Sequence, residues 1–502
     1  LNAVLSVFIL SLFIVAITTN IFELDFTKGS EDTRYEVKEY SAWNAISRVD
    51  LYNRDDIKFI LIDSDAFTEV LKVDEDISEA KDQVFDTLNA LAYTAKQNSN
   101  VLIVGAGGGR DVLAALLYNH TVTGVEINDI IVNDIMKDRL KEFSGNLYLR
   151  DDVNIVVDEG RSFIRRSNED YGVIQISLVD TFAATAAGAF TLTENNLYTV
   201  EAFKEYIAHL KDDGIFTSTR WILSKPQETI RATAIALEAL DEIGVERPDK
   251  NIILIKKAID FPQTSRTPFE GIANLMIKKS AFTQEEINSI LKKSEEQGFE
   301  ILYIPNDDRD NIYNKLIKSS HRKEFYDSYS LDISPTTDDR PFFFYSLKLK
   351  DSFNFGKLFS GQYEKELLLK TNLGLFLLLI TLFITFALAI TFILLPLILL
   401  RYKDLKGNLI NKFLILLYFA GLGFGFIIIE IILMQKFILF LGHPIYALSV
   451  ILFSILVFSG IGSYTTRNIQ EDKIRKSIAI NLFSLAVVVI LYLFLLPFIF
   501  NL

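Results

Sequence analysis

The chain contains no cysteine, which excludes disulfides, thiolate metal sites and a cysteine nucleophile. Histidine is nearly as scarce. His120, His209, His321 and His443 are the only four, they show no HxxxH or HExxH spacing, and no metal is expected. A basic surface is also missing. The formal net charge of −13 argues against nucleic acid as a partner, because phosphate backbones are gripped by cationic faces that release counterions.

What the 502 residues do have is apolar length. Five stretches, about 2–22, 371–400, 411–435, 445–466 and 478–501, are long enough to cross a bilayer, which takes roughly 20 residues. The first has no basic n-region and no small-residue cleavage site, so it reads as an anchor rather than a signal peptide. The sequence opens at Leu1 inside one apolar run and stops at Leu502 inside another, and neither is expected to be a natural terminus. Short-loop charge bears on sidedness. Arg401, Lys403, Lys406 and Lys412 fall in one loop, and Arg467, Lys473, Arg475 and Lys476 in another on the same side. The opposite turn, 436–444, holds only Lys436. Taken alone this places the soluble part outside the cytoplasm, while Lys348, Lys350, Lys357, Lys365 and Lys370 at its membrane-proximal edge pull the other way. The expected partners are the lipid bilayer and other membrane subunits.

Between the apolar stretches, alternating runs at Arg34–Tyr40, Ala45–Tyr52, Lys58–Asp63 and Phe67–Val73 predict a small antiparallel sheet. From about residue 84 the pattern becomes strand–helix alternation. Strands are expected at Val101–Val104, Val122–Glu126, Val153–Val157, Val173–Ser177 and Ile215–Thr219, with helices near 110–118, 128–141, 161–167 and 197–210. Helix Gln227–Ile243 and strands Ile252–Lys256 and Ile272–Ile277 would complete a doubly wound α/β sheet. The expected layout is an anchor at 1–22, a small β domain at 30–80, a nucleotide-binding domain at 84–280, an α/β extension and linker at 281–370, and a four-helix membrane region at 371–502.

The most informative local signal is Val101-Leu-Ile-Val-Gly105-Ala-Gly107-Gly108-Gly109-Arg110-Asp111. A buried strand runs into a glycine turn, and the turn into a helix, so backbone can approach a ligand closely. Glu126 ends the next strand, placed to accept from both ribose hydroxyls. A P-loop needs GK[ST] after the glycines, and a GxGxxG fingerprint needs glycine where Arg110 stands. The GxGxG turn of S-adenosylmethionine-type sites fits best; a glycine turn with no ligand is the alternative. Gly105, Gly107 and Gly109 are the turn candidates. Asp158 or Glu159, at the third strand end, would border the adenine or cap the following helix. Asp180, just past the fourth strand in Ser177-Leu-Val-Asp180-Thr181, is the candidate base for an amine, or else a cap for the small-residue loop Phe182–Phe190.

These residues resemble the aminopropyltransferase (spermidine synthase) family over roughly 33–280. Ser41-Ala-Trp43-Asn44 stands where that family has Ser-x-Tyr-Gln, Ile62-Asp63 resembles its Leu-Asp-Gly hairpin, and Gly105–Gly109, Glu126 and Glu159-Gly160 match its nucleotide site. The family's strand ends in Asp-Ser-x-Asp-Pro, and Asp180 falls on the second Asp, while Ser177 replaces the first and Thr181 the Pro. The acidic amine-binding residues that usually follow the hairpin are not recognisable in Val73–Asp86. A narrower resemblance is to multi-pass membrane spermidine synthase-like proteins. It rests on Arg110-Asp111, Gly188-Ala-Phe190, Leu192-Thr-Glu-Asn195, Leu197–Phe203, Arg220-Trp221, Thr337-Asp-Asp-Arg-Pro341-Phe-Phe and Leu441-Gly-His-Pro444. The resemblance implies a class I methyltransferase-like sheet with a small N-terminal β domain, set between transmembrane helices. It also implies decarboxylated S-adenosylmethionine or S-adenosylmethionine as donor, and Trp43, Asn44, Ser177 and Thr181 on the substrate or lid side.

Within the membrane region, Glu430 lies inside a hydrocarbon-length run. A charge there costs about 2.5–3.5 kcal/mol even on the lenient scale, so Glu430 is expected to be protonated, paired or beside a polar cavity, with Gln435, Lys436 and His443 the candidate partners. Gly421, Gly423 and Gly425 would let another helix pack closely. Three functions follow: a membrane-bound aminopropyl-like transferase acting on an amine, a catalytically degenerate scaffold or subunit, and a transport-associated polyamine binder.

Overall fold

The computed structural model describes Ser11 and residues 37–54, 57–63, 66–74, 76–84, 87–179, 194–259, 269–348, 378–400, 409–441, 444–467 and 469–500. The expected anchor at 2–22 otherwise lies outside the described residues, as do Asp180, Thr181 and His443. Two compact units emerge, one α/β and one helical.

The α/β unit begins with four strands, β1 (Val37–Trp43), β2 (Arg48–Arg54), β3 (Ile57–Ile62) and β4 (Ala66–Leu71), paired antiparallel in chain order. Alternation sets its inner face. Val49 and Leu51 of β2, Ile60 of β3 and Val70 of β4 are buried in one core.

A sheet of eight strands follows, in the order β12-β10-β11-β9-β8-β5-β6-β7. Its strands are β5 (Asn100–Val104), β6 (Thr121–Glu126), β7 (Val153–Val157), β8 (Tyr171–Ser177), β9 (Leu210–Leu223), β10 (Ile252–Ala258), β11 (Phe269–Lys278) and β12 (Glu300–Tyr303). β5 through β9 are parallel; β10, β11 and β12 join antiparallel. β5 is apolar throughout its buried length because both of its faces are covered. From β5 the chain moves outward through β6 and β7, then returns to place β8 and β9 on β5's other side. The carboxyl ends of β5 and β8 therefore flank the topological switch point, where open α/β sheets bind ligands. This is the doubly wound sheet that the sequence pattern led us to expect, in the class I methyltransferase-like form that the resemblance implied.

The helices of this unit include α1 (Arg110–Leu117), α2 (Val200–Ala208), α3 (Glu228–Glu242) and α4 (Gln284–Glu296), and side-chain caps set the starts of α2 and α4. Thr199 accepts from the Ala202 N–H at α2, and Thr283 with Glu286 forms a capping box at α4. The helix expected at 128–141 is instead a π-helix over Ile130–Arg139, wide enough that the Leu140 N–H reaches Ile135 O, five residues back, at 2.7 Å. β9 runs well beyond the expected Ile215–Thr219, because β11 pairs with it from Ile215 to Leu223 and Tyr171 of β8 pairs with Leu210 at its start.

The helical unit holds α5 (Leu409–Leu441), α6 (Pro444–Thr466) and α7 (Ile474–Phe500). Three segments of these, Phe413–Ile438, Ile445–Thr466 and Ile474–Tyr492, are long and apolar enough to cross a membrane, and Leu378–Ile393 is a shorter apolar helix. Large apolar side chains such as Phe424, Phe453 and Phe494 are exposed, a surface that suits lipid and not water. A Cβ on Gly421, Gly423 or Gly425 would meet nothing within 4 Å, so no helix of the described chain packs closely on that face.

Candidate functional site

The site grows from the turn after β5. Gly105, Gly107 and Gly109 all have positive φ, at 80°, 50° and 83°, a region closed to most side chains. Space is equally restrictive. A Cβ at Gly105 would lie 2.4 Å from Val179 Cγ1, and one at Gly108 would lie 2.3 Å from the Glu69 carbonyl oxygen of β4. The small antiparallel sheet thus sits directly on the glycine turn. The Arg110 guanidinium, 2.5 Å from Glu69 Oε2, fastens the same contact. We expect Gly108→Ala to push β4 off the turn and cost about 2–3 kcal/mol, as overpacking does, measurable as a lower denaturant midpoint.

Every backbone N–H of the turn already has an acceptor. Those of Gly105 and Ala106 both donate to Val125 O, at 2.8 and 3.2 Å, and that of Gly109 to Ala106 O at 2.9 Å. The Gly108 N–H donates to Thr68 Oγ1 at 3.0 Å. The Gly107 N–H donates to Glu126 Oε2 at 3.0 Å. A phosphate-binding nest needs successive N–H groups aimed at an anion; this turn offers none between Gly105 and Gly109. A ligand here is held by close backbone approach and by acceptors, which suits a nucleoside without phosphate.

Glu126 is the central acceptor. Its second oxygen takes the Asn128 N–H at 3.0 Å, which leaves each oxygen a lone pair for a ribose hydroxyl. Burial pushes the carboxyl above its usual range, partly offset by the N–H groups of Asn128, Gly107 and Ile127. Tyr148 closes the far side, donating its hydroxyl to Gly107 O at 2.7 Å. Burial, with the Glu126 and Asp111 charges behind it, holds that phenol well above its ordinary value, so it stays a donor.

Asn128 also ties the β1–β2 loop to this point. Its amide donates to Ser47 Oγ at 2.8 Å, and Asn44 Nδ2 donates to Asn128 Oδ1 at 2.9 Å and Asp129 Oδ1 at 2.7 Å. Trp43 is 62% exposed, its ring centroid 6.0 Å from the Arg48 guanidinium carbon. Asp158 lies at the β7 tip, its N–H on Glu126 O at 3.1 Å, and its carboxylate accepts the Glu159 N–H at 2.8 Å.

At the β8 tip, Ser177 Oγ accepts from Gln175 Nε2 at 3.1 Å, and Gln175 Oε1 accepts the Tyr93 hydroxyl at 2.5 Å. Leu178 then turns to φ 50°, an uncommon state for a bulky side chain, and Val179 lies over Gly105. The described chain stops there, one residue before Asp180. A second polar chain runs beneath: Asn89 donates to Asp111 at 3.0 Å and accepts from Thr219 Oγ1 at 2.6 Å, and Asn274 Nδ2 donates to Thr217 Oγ1 and Thr219 Oγ1. Tyr93, Tyr148, Thr68, Asn89 and Asn128 were not singled out from sequence. Gln175 could have been, since a glutamine within a fully buried apolar strand demands a partner.

Glu430, in the helical unit, lies within α5 and is half-buried.

Residues 86–233 match a protein-family model described as Spermine/spermidine synthase domain. The chain is 26% identical over 144 residues to the polyamine aminopropyltransferase of Sulfolobus acidocaldarius, a match covering 27% of this chain and 47% of that protein. It is 28% identical over 121 residues to the polyamine aminopropyltransferase of Buchnera aphidicola, covering 24% and 39%. That of Clostridium botulinum matches at 26% over 186 residues, covering 32% and 62%. The chain therefore spans less than two thirds of the length of these relatives. Among solved structures, a spermidine synthase from Thermotoga maritima aligns with a TM-score of 0.36 at 18% identity, over 54% of this chain and 81% of that one. A probable spermidine synthase from Corynebacterium glutamicum aligns at 0.38 and 16%, over 56% and 94%.

Proposed function

We propose that this chain is a membrane-anchored transferase that passes an aminopropyl-type group from decarboxylated S-adenosylmethionine, or a group from S-adenosylmethionine itself, to an amine. The observation that carries the reading is the fully paired glycine turn beside Glu126: a ribose acceptor with no phosphate nest, as an S-adenosyl nucleoside requires. The spermine/spermidine synthase domain match over 86–233 supports the same chemistry.

In this reading Gly105, Gly107 and Gly109 let the nucleoside lie close, Glu126 takes its ribose hydroxyls, and Asp158 and Glu159 border the adenine. Trp43, Asn44, Ser177 and Thr181 lie toward the acceptor. With decarboxylated S-adenosylmethionine as donor, the amine nitrogen attacks the aminopropyl carbon bonded to the sulfonium sulfur. As the new C–N bond forms, the C–S bond breaks, its electron pair returns to sulfur, and neutral methylthioadenosine leaves. Asp180 takes the proton the amine sheds. The three helices of membrane-crossing length support attachment of this chemistry to a bilayer, and the loop charges favour an extracytoplasmic domain. Glu430 and His443 are candidates for a polar intramembrane site serving a lipid-borne substrate.

A second reading, a catalytically degenerate scaffold or subunit of a membrane assembly, draws on the acceptor side. The Asn44 amide is committed to Asn128 and Asp129, and Trp43 is solvent-exposed. The full chain, reconstituted in lipid nanodiscs with decarboxylated S-adenosylmethionine and putrescine, is expected to release methylthioadenosine. Nucleoside binding by calorimetry with no product from any amine would favour the scaffold. Absence of nucleoside binding would defeat the transferase reading.

A further inference from the structure

We propose that a cleft at the start of α7 binds the phosphodiester headgroup of an anionic phospholipid. The cleft, about 500 Å³, lies between the loop after α6 and the first two turns of α7, lined by Ile469, Gln470, Lys473, Lys476, Ser477, Ile480 and Asn481. Two independent features point to an anion from the bilayer.

The first is electrostatic. Lys473, Arg475 and Lys476 crowd the start of a 27-residue helix, where the unsatisfied N–H groups already present positive charge and anions, not cations, are favoured. Glu471 and Asp472 are adjacent in sequence, yet none of these three cations pairs with a carboxylate among the described residues. Elsewhere Lys204, Lys278 and Lys318 each hold one. A preference for basic loops on one side of the membrane explains why the charges are there. It does not explain why Lys473 and Lys476 line a concave cleft unpaired. A phosphate between Lys473 and Lys476, one helical turn apart, would satisfy both.

The second feature is depth. Ser477 and Asn481 extend a polar stripe from Lys473 at four-residue spacing into Ile474–Tyr492, a segment apolar enough to span a membrane. Asn481 is exposed and has no hydrogen-bond partner among the described residues, a costly arrangement at the edge of hydrocarbon. The glycerol esters below a headgroup phosphate supply acceptors for it, and Ile469 and Ile480 give the first methylenes an apolar wall. A free phosphate would use the lysines but leave Asn481, Ile469 and Ile480 without a role. Basic pockets at membrane helix ends bind anionic headgroups on these principles.

The test uses the full chain in nanodiscs of phosphatidylcholine with increasing phosphatidylglycerol, with retained lipid read by native mass spectrometry. Selective retention of phosphatidylglycerol is expected, and Lys473→Gln/Lys476→Gln should lower it roughly 30-fold, about fivefold per charge near the surface. Lys473→Arg/Lys476→Arg should retain it, which separates charge from misfolding. Equal retention by the glutamine variant and the wild type would overturn the proposal. So would displacement of the lipid by millimolar inorganic phosphate, which would identify a free-anion site.

Discussion

Glu126→Gln and Asp180→Asn are expected to fail in different ways. The Glu126 carboxylate already holds the Gly107 and Asn128 N–H groups, so its remaining lone pairs are fixed in direction before any ribose arrives. A glutamine keeps one carbonyl oxygen and turns an NH₂ toward the other backbone N–H. It loses one charge-assisted hydrogen bond, worth about 1.5–3 kcal/mol, so nucleoside affinity should fall roughly 10- to 100-fold by calorimetry. Asp180→Asn removes a proton acceptor and no ribose contact. Its turnover should fall by about 10²- to 10⁴-fold with nucleoside affinity unchanged. Equal loss of affinity in both variants would dissolve the division of labour.

The pH dependence of Glu126 has a definite sign. Burial raises its folded pKa above 4.5, so the folded state holds this proton more tightly than the unfolded chain does. Its contribution to stability is therefore fully present below 4.5, declines as pH rises through the elevated value, and is constant beyond it. Nucleoside affinity should run the other way over the same window, because only the carboxylate accepts from both hydroxyls. Both slopes should flatten in Glu126→Gln.

Legibility from sequence divides along physical lines. β5 and the first four residues of β10 could be read because a strand buried on both faces is a bounded apolar run, and β7, at the sheet edge, because its buried Val153 and Ile155 alternate with exposed Asn154. The glycine turn and Glu126 were legible because positive φ and close approach admit one residue type. β4's role as a cover on that turn was not. Thr68 and Glu69 reach it through tertiary packing, and nothing local distinguishes them from other hairpin residues. The π-helix was missed for a similar reason: Ile130, Ile131, Val132, Ile135 and Met136 are all buried, and helical apolar spacing does not reveal that the turn is one residue wide of α. The segment Thr337–Phe343 was legible only as a resemblance, yet its surroundings in the α/β unit set the largest stability effect we expect.

That effect belongs to Arg231. Its side chain is buried beneath the strap that leads from Leu331 to Leu347, and it donates to the carbonyls of Phe343 at 2.5 Å and Tyr345 at 2.6 Å, and to that of Asp332. Burial lowers its pKa to about 10, with Asp332 opposing, so the guanidinium remains charged at neutral pH. Arg220 reinforces the same strap from β9: it pairs with Glu228 at 2.6 Å and lies against the rings of Tyr198, Phe343 and Phe344. The strap in turn fixes the start of α2, because Thr199 Oγ1 donates to Asp338 at 2.7 Å and the Asp338 N–H donates to Glu201 at 3.0 Å. It also accepts the Asn195 N–H on Pro341 O at 2.7 Å. Arg231→Leu would strand the buried Phe343 carbonyl and the half-buried carbonyls of Tyr345 and Asp332 at once, so a loss of about 3–5 kcal/mol is expected, the range seen when a buried charged donor is removed from its partners. Lysine, with a point charge in place of a planar fork, should recover only part of it. Arg340→Ala, on an exposed residue of the same strap, should change the midpoint little. Chemical denaturation of the detergent-solubilised chain, with proteolysis followed across 331–347, would reveal whether the strap detaches before the sheet unfolds. If Arg231→Leu shifts the midpoint no more than Arg340→Ala, the strap is held by its aromatic contacts alone.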